Sequence, residues 1–361
     1  MHIVLDARKY FDYGIGTYIQ NLIPKIGTYC DLTILLVPED VDRIILSPSI
    51  EKIRNASGKY SLGELRSIAK DANTLKADVF HAPHYTTPFG LKMPCVTTIH
   101  DILHIRGKEY FSFHKRLYAR TIISHACRAS AAIIVDSEFT KQELLGMFHV
   151  NETQVHVIHL GVSSIYSAKY SEKSIREFRN KHHLTKPTIL YVGSLKPHKN
   201  VEVLIRAFAH MKQRSDLQLA FSGESITRTN NLWKLIKELD NIKDVIEIGQ
   251  ISRRELALAY HAASVVVLPS LYEGFGFSVL EAMAAGTPAI GSRAGSIPEI
   301  MGDGGILFDP HSVEDLTCAL EKVLNDTEYR SAIIKKGYKN VERFSWDMCA
   351  EQTYQIYRDI A

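Results

Sequence analysis

The chain has 361 residues, 45% of them hydrophobic and 23% charged, the composition of a globular protein of about two domains and not of a disordered, collagen-like or solenoid chain. Its 43 Lys and Arg against 40 Asp and Glu leave a net charge of +3. No global field therefore recruits a nucleic acid, and none is expected as a partner.

No apolar run reaches the ~18 to 20 residues that span a bilayer. The opening Met1-His-Ile-Val-Leu-Asp-Ala-Arg-Lys puts Asp6, Arg8 and Lys9 where a signal peptide needs an apolar core. It reads as a first strand, not a targeting segment. Further candidate strands follow at 32–37, 79–81, 96–100, 132–136 and 155–158, then at 188–192, 217–221, 245–248, 265–269, 289–290 and 306–308. They are short, rich in Val, Ile and Leu, and lack the polar alternation of a half-wet antiparallel sheet. Buried parallel strands have this character, with the helical patterns between them as crossovers. An α/β chain of two doubly wound, Rossmann-like domains is expected.

The polar stretch 163–187, ending at Pro187, marks the boundary. It divides an N-terminal domain, 1–165, from a C-terminal domain, 166–344. Each opens as strand, glycine loop and helix. A last helix over 345–361 starts at the capping Ser345 and carries Trp346, Cys349, Ala350, Tyr354 and Tyr357 at helical spacing. It is expected to pack back on the N-terminal domain. Cys30, Cys95, Cys127, Cys318 and Cys349 are odd in number, scattered, and never spaced C-x-x-C. They suggest neither a disulfide framework nor a cysteine zinc site, and a cytoplasmic location is the default.

The densest chemistry lies in Pro269-Ser-Leu-Tyr-Glu-Gly-Phe-Gly-Phe-Ser-Val-Leu-Glu281, between a buried strand and a helix start. Unpaired amides there form an anion site suited to phosphates. Glu273 and Glu281 would repel phosphate but suit the hydroxyl groups of sugars. Together these features suggest a nucleotide sugar; the plain alternative is two solvated glutamates. Gly193-Ser-Leu-Lys196-Pro-His198-Lys199-Asn200 offers two lysines at another strand-to-helix junction, either for a diphosphate or as solvated charge. The loop Asp12-Tyr-Gly14-Ile-Gly16 could admit a ligand to the backbone or be a tight turn. As a G-x-G-x-x-G fingerprint it is incomplete, with Ile19 at the third position.

His81, His84, His100 and His104 gather at strand ends. Metal-ligand spacing on one face would need a helix, which Pro83 opposes, so no metal is expected and His100 is read as facing a ligand. Residues 110–135 contain no Asp or Glu but hold Lys115, Arg116, Arg120 and Arg128 among aromatic and aliphatic side chains. Such a helix either lies on an anionic membrane or packs on the sheet with its basic face in water.

Over nearly its whole length the chain resembles the GT-B-fold retaining glycosyltransferases of glycosyltransferase family 4. Tyr191-Val-Gly-Ser-Leu-Lys-Pro-His-Lys-Asn looks like their donor-phosphate loop, and Glu273 to Glu281 matches their E-x7-E motif. Gly286-Thr-Pro-Ala-Ile, Gly295-Ser-Ile-Pro-Glu299, Gly14-Ile-Gly16, Thr98-Ile-His100-Asp101 and Val135-Asp-Ser137-Glu-Phe-Thr140 look like further family segments. The resemblance implies two Rossmann-like domains facing across a cleft, the first binding the acceptor and the second the donor.

It also implies roles. Glu281 would hold the ribose hydroxyls, Glu273 the donor sugar and Lys199 the diphosphate. Backbone groups at Phe275, Gly276, Val279 and Leu280 would complete the site. Gly14 and Gly16 would approach the distal phosphate, and His100 the transferred sugar. Many members carry Arg where this chain has Ser194, so either Lys196 or His198 is a candidate substitute or Lys199 acts alone. The implied reaction is metal-independent and retaining, with front-face attack and the leaving phosphate taking the acceptor proton. Asp101 is a candidate assistant.

No cofactor is expected beyond the nucleotide-sugar co-substrate, UDP-linked in preference to GDP-linked. The acceptor would be a glycan or a lipid-linked glycan, met at the inner face of the membrane through 110–128. The alternatives are a GT-B-fold nucleotide-sugar epimerase, a non-catalytic nucleotide-sugar-binding protein and a metal-dependent hydrolase built on the histidines.

Overall fold

The computed structural model describes residues 1–56, 62–239 and 242–361. The chain forms two compact units, Met1–Gly161 with Ser345–Ala361, and Val162–Phe344. The first unit ends four residues before the sequence boundary at 165. Gly161 lies against the start of the last helix so closely that a Cβ there would sit 2.2 Å from the Trp346 amide nitrogen.

The first unit holds β1 (His2–Asp6), β2 (Asp31–Leu36), β3 (Ile50–Arg54), β4 (Val79–Ala82), β5 (Cys95–Ile99), β6 (Ala132–Val135) and β7 (Val155–Val157). They form one parallel sheet in the order β3-β2-β1-β4-β5-β6-β7. β3 was not expected. It is an edge strand whose Glu51, Lys52 and Arg54 are not buried, so it lacks the unbroken apolar run of the inner strands.

The Gly14–Gly16 loop is corrected as well: these residues form the first turn of a helix, Tyr13–Ile26. Gly16 is required there, because a Cβ would meet the Tyr10 carbonyl oxygen at 2.5 Å. The last helix, Trp346–Ile360, packs on Tyr13–Ile26 in the same unit. Lys25 pairs with Asp347, Tyr354 stacks on Tyr29, and the Tyr357 hydroxyl lies 2.5 Å from His81 Nδ1.

In the second unit β8 (Thr188–Gly193), β9 (Gln218–Gly223), β10 (Val245–Gly249), β11 (Val265–Leu268), β12 (Ala289–Ser292) and β13 (Ile306–Phe308) pair in parallel as β10-β9-β8-β11-β12-β13. Alternate residues feed two cores. Ile189, Tyr191, Phe221 and Val267 meet Leu204, Phe208 and Leu320 on one face. Leu190, Ala220 and Val266 meet Tyr260, Val279 and Met283 on the other. Each fully buried aliphatic or aromatic side chain contributes about 1.5–3 kcal/mol.

The strand order reverses at β1 in the first unit and at β8 in the second. Ligands of open parallel sheets bind at such reversals, beyond the carboxyl ends of the strands.

Candidate functional site

In the second unit the reversal lies between β8 and β11, whose carboxyl ends lead into the loops at 193–200 and 269–276. The loops are tied together. Asn200 is in the left-handed region (φ 53°), and its carboxamide donates to the carbonyls of Pro269 (3.2 Å) and Pro310 (2.8 Å). The Leu271 amide donates to the His198 carbonyl at 2.8 Å. The Tyr191 hydroxyl donates to the Ser194 carbonyl at 2.5 Å.

This scaffold holds Lys199 Nζ 2.6 Å from Glu273 Oε1, which also accepts from Ser270 Oγ at 2.6 Å. A second turn clamps the glutamate's backbone. A Cβ on Gly295 (φ 60°) would sit 2.7 Å from both Glu273 N and O. The Ser296 amide and hydroxyl each lie 3.1 Å from the Glu273 carbonyl oxygen.

Gly276 (φ 101°) caps the helix Phe277–Ala284. The amides of Gly276 to Val279 are therefore among the donors that a helix start leaves without an intrahelical acceptor; Leu280 is one residue past them. The side chains of Phe275, Val279 and Leu280 are buried in the core. Only their backbone could serve a ligand.

Glu281 belongs to a separate network. Its Oε2 accepts from the Tyr260 hydroxyl at 2.6 Å, and Tyr166 donates to it as well. Burial raises its pKa, and the two phenols and Arg253 offset only part of that. Ser194 is half-buried, Lys196 exposed and His198 buried.

In the first unit the carboxyl ends of β4, β5 and β6 bring His81, His84, His100, Asp101 and Asp136 to one side of the sheet. His100 Nδ1 lies 2.7 Å from Asp136 Oδ2 and its Nε2 lies 3.1 Å from the Pro83 carbonyl oxygen. Burial pushes the His100 pKa down, but the charge and hydrogen bond of Asp136, the Pro83 carbonyl and Asp101 outweigh it, and the net shift is upward. Asp101 Oδ1 accepts from the Leu103 amide at 2.9 Å and so holds the turn into a short helix, Leu103–Arg106.

His81 spends both ring nitrogens, on Tyr357 and on Thr98. Burial, then the charge of His100, lowers its pKa to about 3. Among the described residues no three His, Cys, Asp or Glu side chains group as a metal site. Gly14 has open space around its Cα and Gly16 faces the backbone of Tyr10.

The helix Phe113–Ala129 buries Ala119, Ile122, Ile123, Ala126 and Cys127. Its other side leaves Phe113 68% and Leu117 51% exposed. A groove of about 440 Å³ runs beside it, lined by Leu117, Arg120, Ser124, Arg128, Phe148 and His149 among others. Among the described residues no helix is long and apolar enough to cross a membrane.

Tyr166, Tyr260, Asn200, Ser270 and Asp136 were not singled out from sequence as site residues. The roles of Tyr166, Tyr260, Asn200 and Asp136 depend on partners distant in the chain, whereas Ser270 serves Glu273 three residues on. Asn200 and Ser270 carried a local signal, each lying in a loop between a strand and a helix start.

Comparison with known proteins bears on the family and the fold. The family model for group 1 glycosyl transferases matches residues 173–340, and that for glycosyltransferase family 4 matches 14–164. The chain is 25% identical over 370 residues to the O-antigen chain mannosyltransferase B of Escherichia coli, covering 97% of each chain. It is 32% identical over 297 residues to an uncharacterized glycosyltransferase of Methanocaldococcus jannaschii, covering 78% of this chain and 75% of the other. The crystal structure of Anabaena Alr3699/HepE in complex with UDP and glucose has the same fold, with a TM-score of 0.82 at 20% identity over 99% of this chain and 100% of the other. The two Rossmann-like units, the glycine-capped helix behind Glu273 and these matches place the chain in the group 1 glycosyltransferases of GT-B fold, with a family 4 type N-terminal unit, and make it a sugar-transferring enzyme.

Proposed function

We propose that this glycosyltransferase moves a hexose from a nucleotide sugar to a glycan or lipid-linked acceptor, with retention at the anomeric carbon and without a metal ion. The observation that carries the reading is the Lys199–Glu273 pair, 2.6 Å apart beside a helix start at the strand-order reversal of the second unit. A lysine that a carboxylate holds within reach of water can exchange that partner for a diphosphate. Lys199, the amides near Gly276 and the Ser194 loop then oppose the charge that develops on the leaving group, doing so as fixed dipoles and charge. Glu273, released, accepts from the donor sugar's hydroxyls, and Glu281 from the ribose. Gly14, with open space at its Cα, approaches the distal phosphate, whereas Gly16 is taken up by Tyr10 and Asp12. His100 faces the transferred hexose, with Asp101 beside it.

In the transfer step the bond from the anomeric carbon to the diphosphate oxygen breaks. The acceptor oxygen bonds to that carbon on the same face, and the leaving phosphate oxygen takes the acceptor's proton. Anabaena HepE was crystallised with UDP and glucose, and the E. coli relative is a mannosyltransferase. UDP-linked donors are therefore tested first, and mannose belongs among the hexoses. The basic, aromatic side of Phe113–Ala129 supports work at the cytoplasmic face of a membrane.

Thermal unfolding with UDP-, GDP- and ADP-sugars, followed by release of labelled hexose, tests the reading. A donor at ~100 times its Kd adds about 2.7 kcal/mol of stability. No shift and no release with any donor would overturn the proposal. Sedimentation with anionic vesicles tests the membrane contact, which is wrong if Leu117→Asp binds as well as the unaltered protein.

A further inference from the structure

We infer that Asp136 is a positioning residue that locks His100 as an imidazolium, so that His100 serves the transfer as a fixed positive charge and not as a base. The inference rests on the reading above, in which His100 faces the transferred sugar.

With Asp136 as a carboxylate, the geometry leaves the His100 ring one protonation state. Nδ1 is 2.7 Å from a carboxylate oxygen and Nε2 is 3.1 Å from a carbonyl oxygen. Both neighbours only accept hydrogen bonds. A neutral ring carries one N–H, so one of its nitrogens would turn a lone pair toward an oxygen lone pair. Flipping the ring sets carbons against both oxygens. Only the doubly protonated ring satisfies the two contacts.

The surroundings hold that state. Asp136 is 2% exposed, and its other oxygen, Oδ1, is buried with no hydrogen-bond partner among the described residues. The carboxylate's compensation therefore comes through His100. Tyr18, from the first helix, sets its ring edge-on to the imidazole at 5.0 Å between centroids. The titratable groups facing His100 are Asp136 beyond β6, Asp101 on its own loop, His81 and His84 from β4 and the turn after it, and Tyr18. The two carboxylates favour the cation. His81 and His84 are pushed down chiefly by burial, His84 next by the Lys9 charge, and both by the His100 charge, so they stay neutral and do not oppose it.

An imidazolium has no lone pair with which to take the acceptor's proton. Its contribution is electrostatic, toward the negative charge growing on the departing diphosphate.

¹⁵N-histidine NMR of the full chain, with the His100 ring identified through its contact to Tyr18, tests the inference. Both ring nitrogens should be protonated at pH 7, with a midpoint above the ordinary 6.5. Asp136→Asn should lower that midpoint by about one unit or more, a tenfold loss of proton affinity. In the unaltered enzyme kcat should fall as pH rises through the midpoint. In Asp136→Asn the fall should begin at lower pH, with less change in KM for the nucleotide sugar. Asp136→Glu should restore part of the profile.

A lone-pair nitrogen at pH 7 in the unaltered protein, or an unchanged midpoint in Asp136→Asn, overturns the inference. If Asp136→Asn does not fold, the unaltered protein's spectrum decides alone. Failure of the transferase reading would show as absence of transfer and leave the NMR result standing.

Discussion

Each unit joins an acid and a base beyond the carboxyl ends of its strands, and the two pairs differ in what surrounds them. Lys199 and Glu273 sit on loops with 20% and 14% of their side chains exposed. Opening such a part-buried pair costs less than opening a fully enclosed one, because water still reaches both members. His100 and Asp136 sit where the carboxylate is almost wholly enclosed. Removing one member there strands a buried charge. A pair near water can trade its partner for a ligand, whereas an enclosed pair sets a charge and keeps it.

The sharpest way to break this contrast is to delete the base of each pair. His100→Ala should destabilise the protein by about 3–5 kcal/mol in urea unfolding. Lys199→Ala leaves Glu273 its Ser270 donor and should cost less, about 1.5–3 kcal/mol, yet weaken donor binding about tenfold or more by titration calorimetry. Equal losses of stability would erase the distinction. Glu273→Gln comes next. It keeps the shape but removes the charged acceptor that holds Lys199 and Ser270. Transfer should fall by about 10- to 100-fold, the worth of one charged hydrogen bond, with the unfolding midpoint nearly unchanged. Wild-type-like turnover would remove Glu273 from the site.

These residues were legible in the sequence to unequal degrees. Lys199, Glu273 and Gly276 announced themselves because a strand, a glycine loop and a helix start are local in the chain. All strands but β3 were visible as apolar runs, the inner ones because they are buried on both faces and the edge strands β7, β10 and β13 because they stay Val- and Ile-rich. β3 hid because three of its five residues, Glu51, Lys52 and Arg54, are charged and in water. Gly14 and Gly16 misled because glycines suggest a loop, whereas here Gly16 lets a helix start pass close to the Tyr10 carbonyl. Asp136 stood inside a quoted motif, but its pairing with His100 spans 36 positions and exists only once β5 and β6 lie side by side. Tyr260 reaches Glu281 in the same way, across a fold and not along a helix.

The next two effects probe how each pair is set. Gly295→Ala drives a Cβ into the backbone of Glu273 and puts a side chain at φ 60°. The strain should cost about 1–3 kcal/mol and displace the glutamate, lowering kcat along with the unfolding midpoint. Acid should reveal the enclosed histidines. His81, at about 3, and His84, also well below 6.5, refuse protons that the unfolded chain binds. Stability should therefore fall as pH drops below about 6.5, by up to ~1.4 kcal/mol per pH unit for each histidine. His100 acts on the other side. Its raised pKa adds stability that is full below about 6.5 and fades as pH rises through the folded value. Urea midpoints across pH 4 to 9 should thus peak near 6.5. His81→Asn should flatten the acid limb and leave the alkaline limb alone.

The smallest effect separates holding a loop from making contact with a ligand. The Ser296 hydroxyl is buried and lies 3.1 Å from the Glu273 carbonyl and 2.9 Å from that of Phe275. It has one proton for both, and the Ser296 amide still serves Glu273 without it. Ser296→Ala therefore removes half of a redundant clamp, costing about 1 kcal/mol of stability. The carboxylate keeps Lys199 and Ser270, so its charge and partners survive while its backbone loosens. A loosened backbone should show as a fall of a few-fold in kcat with little change in donor Kd, because binding can re-form a contact that the reacting geometry needs held. A loss in Kd as large as the loss in kcat would mean that Ser296 itself meets the donor, and the clamp would have to be redrawn as part of the binding surface.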